Sequence, residues 1–248
     1  MNDTELARQI AESAGRLLID LRQSGLFTGK TLGRLGDQLA NAFIMQALRA
    51  HRPQDAILSE EEADSPARLS AHRVWIVDPL DGTREYGEAR ADWGVHVALA
   101  VDGVATLGAV ALPGLPLTLT SADTLTRPHH GGRLRLVVSR TRPAAEATAV
   151  AAALGAELIP MGSAGAKVMA VVRGEADVYL HSGGQFQWDN CAPVAVAQAA
   201  GLHVSRLDGS PLRYNQPDTS LPDLLVCLKE HAARVIELAA RRTPAQSH

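Results

Sequence analysis

Apolar residues recur at helical spacing over the first twenty-odd positions, where Leu6, Ile10, Leu17, Leu18 and Leu21 share one face. Asn2 and Glu5 stand at capping-box spacing and Gly25 supplies a stop, so an amphipathic helix is predicted there. A glycine-punctuated stretch, residues 28–36, leads into a second predicted helix near residues 35–49, with Leu39, Phe43 and Ala47 one turn apart and Pro53 beyond its end. Short apolar runs at 56–58 and 74–77 then read as strands, each stopping abruptly at acidic residues. Residues 94–101 and 104–112, joined by Asp102-Gly103, read as a hairpin. After a loop rich in His, Gly and Pro at 127–132, the pattern alternates. It gives strand 134–139, helix 144–154, strand 158–161, helix 164–173, strand 178–181 and helix 190–200, then strands near 203–207 and 224–228 and a helix through Ala240. This order predicts an α+β part over residues 1–132 and an α/β part over 133–248, without a long linker or an internal repeat.

Composition narrows the class. With 248 residues, 46% of them hydrophobic, 21% charged and a net charge of −3, the chain can bury a full core and is not of the disordered type. Cys191 and Cys227 form no disulfide framework and fit no structural zinc set, which suits a reducing compartment. The N-terminal residues lack a basic start with an apolar stretch, and no apolar run approaches the roughly 18 residues of a membrane span. The expectation is a soluble, cytoplasmic protein with no membrane partner. Lys30, Lys167 and Lys229 are the only lysines, and the basic residues are interleaved with acids, so a nucleic-acid polymer is excluded as partner.

Three acidic clusters sit where strand meets loop: Glu60-Glu61-Glu62, the segment Asp78-Pro79-Leu80-Asp81-Gly82-Thr83, and Trp188-Asp189. Taken singly, each has an ordinary reading as solvated loop, structural turn and helix cap, respectively. Their joint occurrence in this order changes the picture. The spacing Asp-x-x-Asp lets one turn aim two carboxylates at a single point, as hard cations such as Mg²⁺ require, and a helix beginning at Gly82-Thr83 would present free N–H groups to a phosphate. If Glu60, Asp78, Asp81 and Asp189 converge, four carboxylates repel one another unless compensated, and two Mg²⁺ would neutralise them. Paired metals, roughly 3.5–4 Å apart in such sites, point to hydrolysis of a phosphate monoester.

These motifs resemble the inositol monophosphatase superfamily of Mg²⁺-dependent, lithium-sensitive phosphatases. The matching residues are Glu60-Glu61, the run from Trp75 through Thr83, and Trp188-Asp189 followed by Ala192-Pro193. Arg84-Glu85-Tyr86, the run Gly162 to Lys167 and the run Asp208 to Asn215 are similar to CysQ-type 3′(2′),5′-bisphosphate nucleotidases, particularly actinobacterial ones. The resemblance implies a layered αβαβα sugar-phosphatase sandwich with the site between its two parts. It implies that Glu60, Asp78 and the Leu80 carbonyl hold a first metal, and that Asp78, Asp81 and Asp189 hold a second. Thr83 with Glu60 would orient and deprotonate the attacking water, and the N–H groups of Gly82 and Thr83 would hold the scissile phosphate. Leu80, Asp81, Gly162, Ser163 and Asp189 would line the substrate, Lys167 would meet a second phosphate, and Ser139 with Arg140 are further candidates. A solvated helix position is the plain alternative for Lys167.

The implied reaction converts 3′-phosphoadenosine 5′-phosphate to AMP and phosphate, extends to 3′-phosphoadenosine 5′-phosphosulfate, and serves sulfur assimilation. Inositol 1-phosphate or fructose 1,6-bisphosphate is the alternative substrate. A non-catalytic Mg²⁺ or nucleotide sensor is disfavoured, since every expected ligand and the threonine are present. A homodimer is common among such relatives. One departure concerns the segment before the second helix, which reads Thr31 to Asp37 here; Asp37 takes the place of an acid expected to pair with the threonine and relay the water's proton. Glu61 and Glu62 read as solvated carboxylates, with a third, weaker Mg²⁺ as the alternative. His96 and His181 read as structural, His181 lying near the expected nucleotide pocket.

Overall fold

The computed structural model describes residues 1–125 and 131–241. Residues 126–130, and with them most of the predicted 127–132 loop, lie outside the described residues. Helix α1 (Asp3–Gln23) opens with the predicted capping box, Glu5 N–H donating to Asn2 Oδ1 at 2.9 Å and Asn2 N–H to Glu5 Oε2 at 3.1 Å. Helix α2 (Gly29–His51) starts well before the predicted point, because the glycine-punctuated stretch is itself helical. Its buried face also differs: Leu32, Gly33, Gly36, Asp37, Ala40 and Ile44 point inward, while Leu39 is exposed. The glycines explain this correction. A Cβ at Gly33 would stand 2.6 Å from the Thr83 methyl, and one at Gly36 2.9 Å from the Tyr86 ring, so the helix reaches its neighbours through its smallest residues. Glycine in a helix costs about 1 kcal/mol relative to alanine. Close approach here offsets it.

Strands β1 (Ala56–Ser59), β2 (Arg73–Asp81), β3 (Gly94–Val101), β4 (Val104–Leu112) and β5 (Leu117–Thr120) form one sheet in that order, β1 parallel to β2 and the rest antiparallel. A short helix α3 (Thr83–Gly87) follows β2. Strand β5, only four residues long, was not expected from the pattern. The second sheet runs β7 (Glu157–Met161), β6 (Arg135–Ser139), β8 (Val178–Phe186), β10 (Ser220–Cys227), β9 (His203–Ser205), parallel across β7-β6-β8 and antiparallel beyond. Helices α4 (Ala145–Leu154), α5 (Ala164–Val172), α6 (Gln187–Ala199) and α7 (Lys229–Ala240) complete the chain.

Strand alternation sorts these elements into layers. Trp75, Val77, Val95, Val97 and Leu99 face α1 and α2, whereas Val74, Ile76, Ala98 and Ala100 on the opposite side of the same strands join α5 and α6. In the second sheet Val137, Tyr179, Leu224 and Val226 close that middle core from the far side, and Leu136, Val138, Val178 and Leu180 pack outward against α4 and α7. The result is the expected αβαβα sandwich. No described helix is long and apolar enough to cross a membrane, and both cysteines are buried and unpaired.

Candidate functional site

The acidic residues meet because β2 carries an extra residue. Asp78 pairs with His96 on β3 and Asp81 with Gly94, so three steps on one strand answer two on the other. In a regular strand, residues three apart point to opposite faces; the bulge rotates the chain enough to bring the two carboxylates to one side. Pro79 sits in this bulge, beyond the last β1–β2 pair at Ser59–Val77, where its missing N–H removes no ladder bond. Asp189 arrives from the first turn of α6, three residues earlier than the predicted helix start, and accepts from Phe186 N–H at 2.5 Å. Ligand oxygens of Asp78, Asp81 and Asp189 all lie within 4.8 Å of one another. Glu60 follows the end of β1, its N–H donating to Val77 O at 3.2 Å, and its charge acts on Asp78.

Crowding sets the electrostatics. Burial, reinforced by the charges of Glu60, Asp81 and Asp189, holds the Asp78 carboxyl well above the usual carboxylate range. Burial and the neighbouring carboxylates push Glu60 and Asp189 each up to about 7. Asp81 goes the other way. Burial opposes its ionisation, but His96, the Ser163 hydroxyl and the Lys167 ammonium together bring it down to about 2. It accepts from Ala164 N–H at 3.1 Å, from Gly165 N–H at 2.7 Å and from Ser163 Oγ, and His96 Nε2 lies 3.2 Å from its Oδ2. Asp81 therefore caps α5 from across the cleft.

His96, read from sequence as structural, is fully buried against the cluster, its Nδ1 3.3 Å from Trp188 O. On β3 it pairs directly opposite Asp78, a relation set by the strand register. Thr83 follows Gly82, which adopts a left-handed φ of 87° in a tight setting: a Cβ would lie 3.2 Å from that of Ser163. Thr83 Oγ1 stands 3.2 Å from both Asp37 Oδ2 and Leu80 O. Asp37 is thus brought to the threonine by α2, as expected, with its other oxygen buried and unpartnered. Burial, then the charges of Glu61 and Glu60, raise it to about 8. Glu62 is tied to Asn41 and Arg49, whereas Glu61 lines a cavity of about 490 Å³ with Asp37, Thr83, Lys30, Arg34 and Arg84.

Lys167 is buried rather than solvated. Its Nζ donates to the carbonyls of Gly162 at 2.5 Å and Ser163 at 2.7 Å and lies 5.4 Å from the centre of the Tyr179 ring. No carboxylate pairs with it among the described residues, and burial lowers it to about 8. Gly162 has its N–H donated to Asp92 Oδ2 at 2.6 Å, so both its backbone groups are engaged. Ser139 Oγ accepts from Arg142 N–H at 3.2 Å, and Arg140 is held by Glu85 and Glu88. His181 Nε2 lies 2.8 Å from Gly183 O.

The donor set is all oxygen, and its carboxylates outnumber the cationic groups that face them, which fits hard divalent cations. A family model described as the inositol monophosphatase family matches residues 34–157 and 134–243. A 3′-phosphoadenosine 5′-phosphate phosphatase of Mycobacterium leprae is 49% identical over 242 residues, covering 92% of this chain and 89% of its own. The 3′(2′),5′-bisphosphate nucleotidase CysQ of Escherichia coli (strain K12) is 31% identical over 197 residues, covering 75% and 80%. A crystal structure of CysQ from Bacteroides thetaiotaomicron superposes with a TM-score of 0.80 at 24% identity, covering 92% of this chain and 97% of that one.

Proposed function

This chain belongs to the inositol monophosphatase family, and from that footing we propose that it is a phosphatase releasing the 3′-phosphate of 3′-phosphoadenosine 5′-phosphate to leave AMP. The observation that carries the reading is the convergence of Asp78, Asp81 and Asp189 beside the Thr83–Asp37 pair. Glu60, Asp78 and the Leu80 carbonyl would hold one Mg²⁺, and Asp78, Asp81 and Asp189 a second. Bound Mg²⁺ supplies Lewis acidity, easing ionisation of water and offsetting charge on the phosphoryl oxygens.

The chain's own residues do the rest. The Gly82 and Thr83 amides, the first of α3 and without intrahelical acceptors, hold the phosphate. The Thr83 hydroxyl has one proton and two acceptors at 3.2 Å. Donating it to Asp37 leaves the oxygen's lone pairs to take the water's proton, so threonine and aspartate form a relay, with Glu60 orienting the water. As the water oxygen bonds to phosphorus the bond to the 3′ oxygen breaks, and that oxygen takes up a proton. Lys167, a buried cation without an ion-pair partner among the described residues, meets the second phosphate through its remaining N–H, beside Ser163.

In this reading residues 1–132 carry most ligands and 133–248 carry Asp189 and the nucleotide contacts, in a cytoplasmic enzyme of sulfur assimilation that also accepts 3′-phosphoadenosine 5′-phosphosulfate. The test is kcat/KM with Mg²⁺ on 3′-phosphoadenosine 5′-phosphate, inositol 1-phosphate and fructose 1,6-bisphosphate. A preference for the nucleotide is expected; a tenfold preference for inositol phosphate overturns the nucleotide assignment and leaves the phosphatase.

A further inference from the structure

The chain has nine aromatic side chains, three each of Phe, Trp and Tyr, and most are packed away. Trp75, Trp93, Tyr86, Tyr179 and Tyr214 are all buried, and Phe186, at 42% exposure, is the most exposed of the nine. It is also the residue whose N–H holds the Asp189 carboxylate. One face of its ring is covered: it stacks on Trp188 with ring centres 4.9 Å apart and planes within 9° of parallel. Trp188 is in turn fixed, packed against the middle core and with its carbonyl oxygen at His96. The stack on Trp188 takes up one ring face, and the residue as a whole is still 42% exposed. Gly183 and Gly184, just before it in β8, are themselves exposed, and a side-chain carbon at either would touch nothing within 4 Å.

We propose that Phe186, backed by Trp188, is a stacking platform for the base of the nucleotide, a specificity element beside the phosphate site. A flat ring already braced on a second ring loses little freedom when a third is laid on it, and every nucleobase offers a π face. The platform recognises a planar heteroaromatic base and gives nothing to a sugar phosphate, so it selects nucleotide over inositol phosphate at a site whose metal ligands serve both. The inference rests on the nucleotide reading of the proposed function, and the two are separable.

The experiment compares AMP with ribose 5-phosphate, ligands differing only in the base, by calorimetric Kd in Mg²⁺ for the parent, Phe186→Ala and Phe186→Trp, alongside kinetics on 3′-phosphoadenosine 5′-phosphate. The parent is expected to bind AMP about ten- to a hundredfold more tightly than ribose 5-phosphate. Phe186→Ala should lose most of that ratio, with its kinetic loss falling mainly on KM, and Phe186→Trp should keep it. An unchanged ratio in Phe186→Ala overturns the platform, and so does an equal weakening of both ligands, which is what a displaced Asp189 would produce. A parent that binds AMP but does not turn over the bisphosphate contradicts the proposed function instead, while the ratio still reads the platform.

Discussion

Asp78 and Asp81 stand three residues apart on one strand, both buried, yet burial and like charges suppress ionisation of the first while a ring of donors promotes it in the second. The Asp78 wall of the cleft, with Glu60 and Asp189, is a set of acids facing acids. The Asp81 wall has His96, Ser163 and the first amides of α5 aimed at it. Residue type and burial are the same on both sides, so partners alone decide the outcome. In the proposed function the first wall relies on bound cations for compensation, whereas Asp81, while offering a ligand oxygen of its own, already has protein donors that join β2 to the helix layer between the sheets.

The sharpest test of that contrast is a pair of isosteric substitutions. Asp78→Asn and Asp81→Asn should each reduce turnover on the order of a thousandfold or more, since both remove a ligand charge from a site worth several kcal/mol to the transition state. Their stabilities in chelator should diverge. Asp78→Asn keeps an acceptor for Leu80 N–H, now at 3.0 Å, and puts a neutral group where burial and neighbouring acids oppose a charge, so its Tm should hold or rise. Asp81→Asn weakens three hydrogen bonds at about 1–3 kcal/mol of buried-acceptor cost, and its Tm should fall by about 2–4 °C for each kcal/mol. Shifts of the same sign by thermal melting would break the distinction between the walls.

The pH dependence separates the walls next. Glu60, Asp189 and Asp37 bind protons in the folded state with values of about 7, 7 and 8, above those of the unfolded chain, so the folded form holds more protons and metal-free stability should fall as pH rises from about 5 to 8. Asp81, lowered to about 2, contributes the opposite way: its stabilisation is present above about 4 and is lost as pH drops through 2. Saturating Mg²⁺ should remove the neutral-pH decline and leave the acid one. Melting temperatures across pH 2–9, with and without Mg²⁺, check both arms.

Lys167→Met should lower kcat/KM for the bisphosphorylated nucleotide about tenfold more than for a monophosphorylated sugar; equal losses would confine Lys167 to bracing the Gly162–Ser163 carbonyls. The smallest effect expected is ionic. Li⁺ should inhibit steady-state turnover at concentrations where Na⁺ does not, acting on the Asp78 wall, and insensitivity would count against a cation there.

Much of the acidic wall was legible in the sequence, because strand ends and the Asp-Pro-Leu-Asp-Gly-Thr run mark backbone that leaves its ladder. The order of helices and strands followed from the periods, and their stacking in layers from the family resemblance. What was missed depended on distance between segments. Apolar spacing marks Leu39, Phe43 and Ala47; Phe43 and Ala47 do pack at the edge of the core while Leu39 is exposed, and glycine at 33 and 36, which carries no hydrophobic signal, lies on the fully buried face by letting Thr83 and Tyr86 approach. His96 lies in an apolar strand, and only the pairing register shows that it faces Asp78. The stacking of Phe186 on Trp188 is likewise a property of the turn into α6, where that helix begins three residues early.

The bulge in β2 turns the Leu80 carbonyl out of the ladder toward Thr83. That oxygen belongs to the main chain, so no substitution at position 80 deletes it and no side-by-side reading of side chains records it. Drift can replace the leucine freely within the limits of packing; losing the oxygen takes an insertion or deletion between Asp78 and Asp81. In this stretch of the chain, spacing is inherited more strictly than letters.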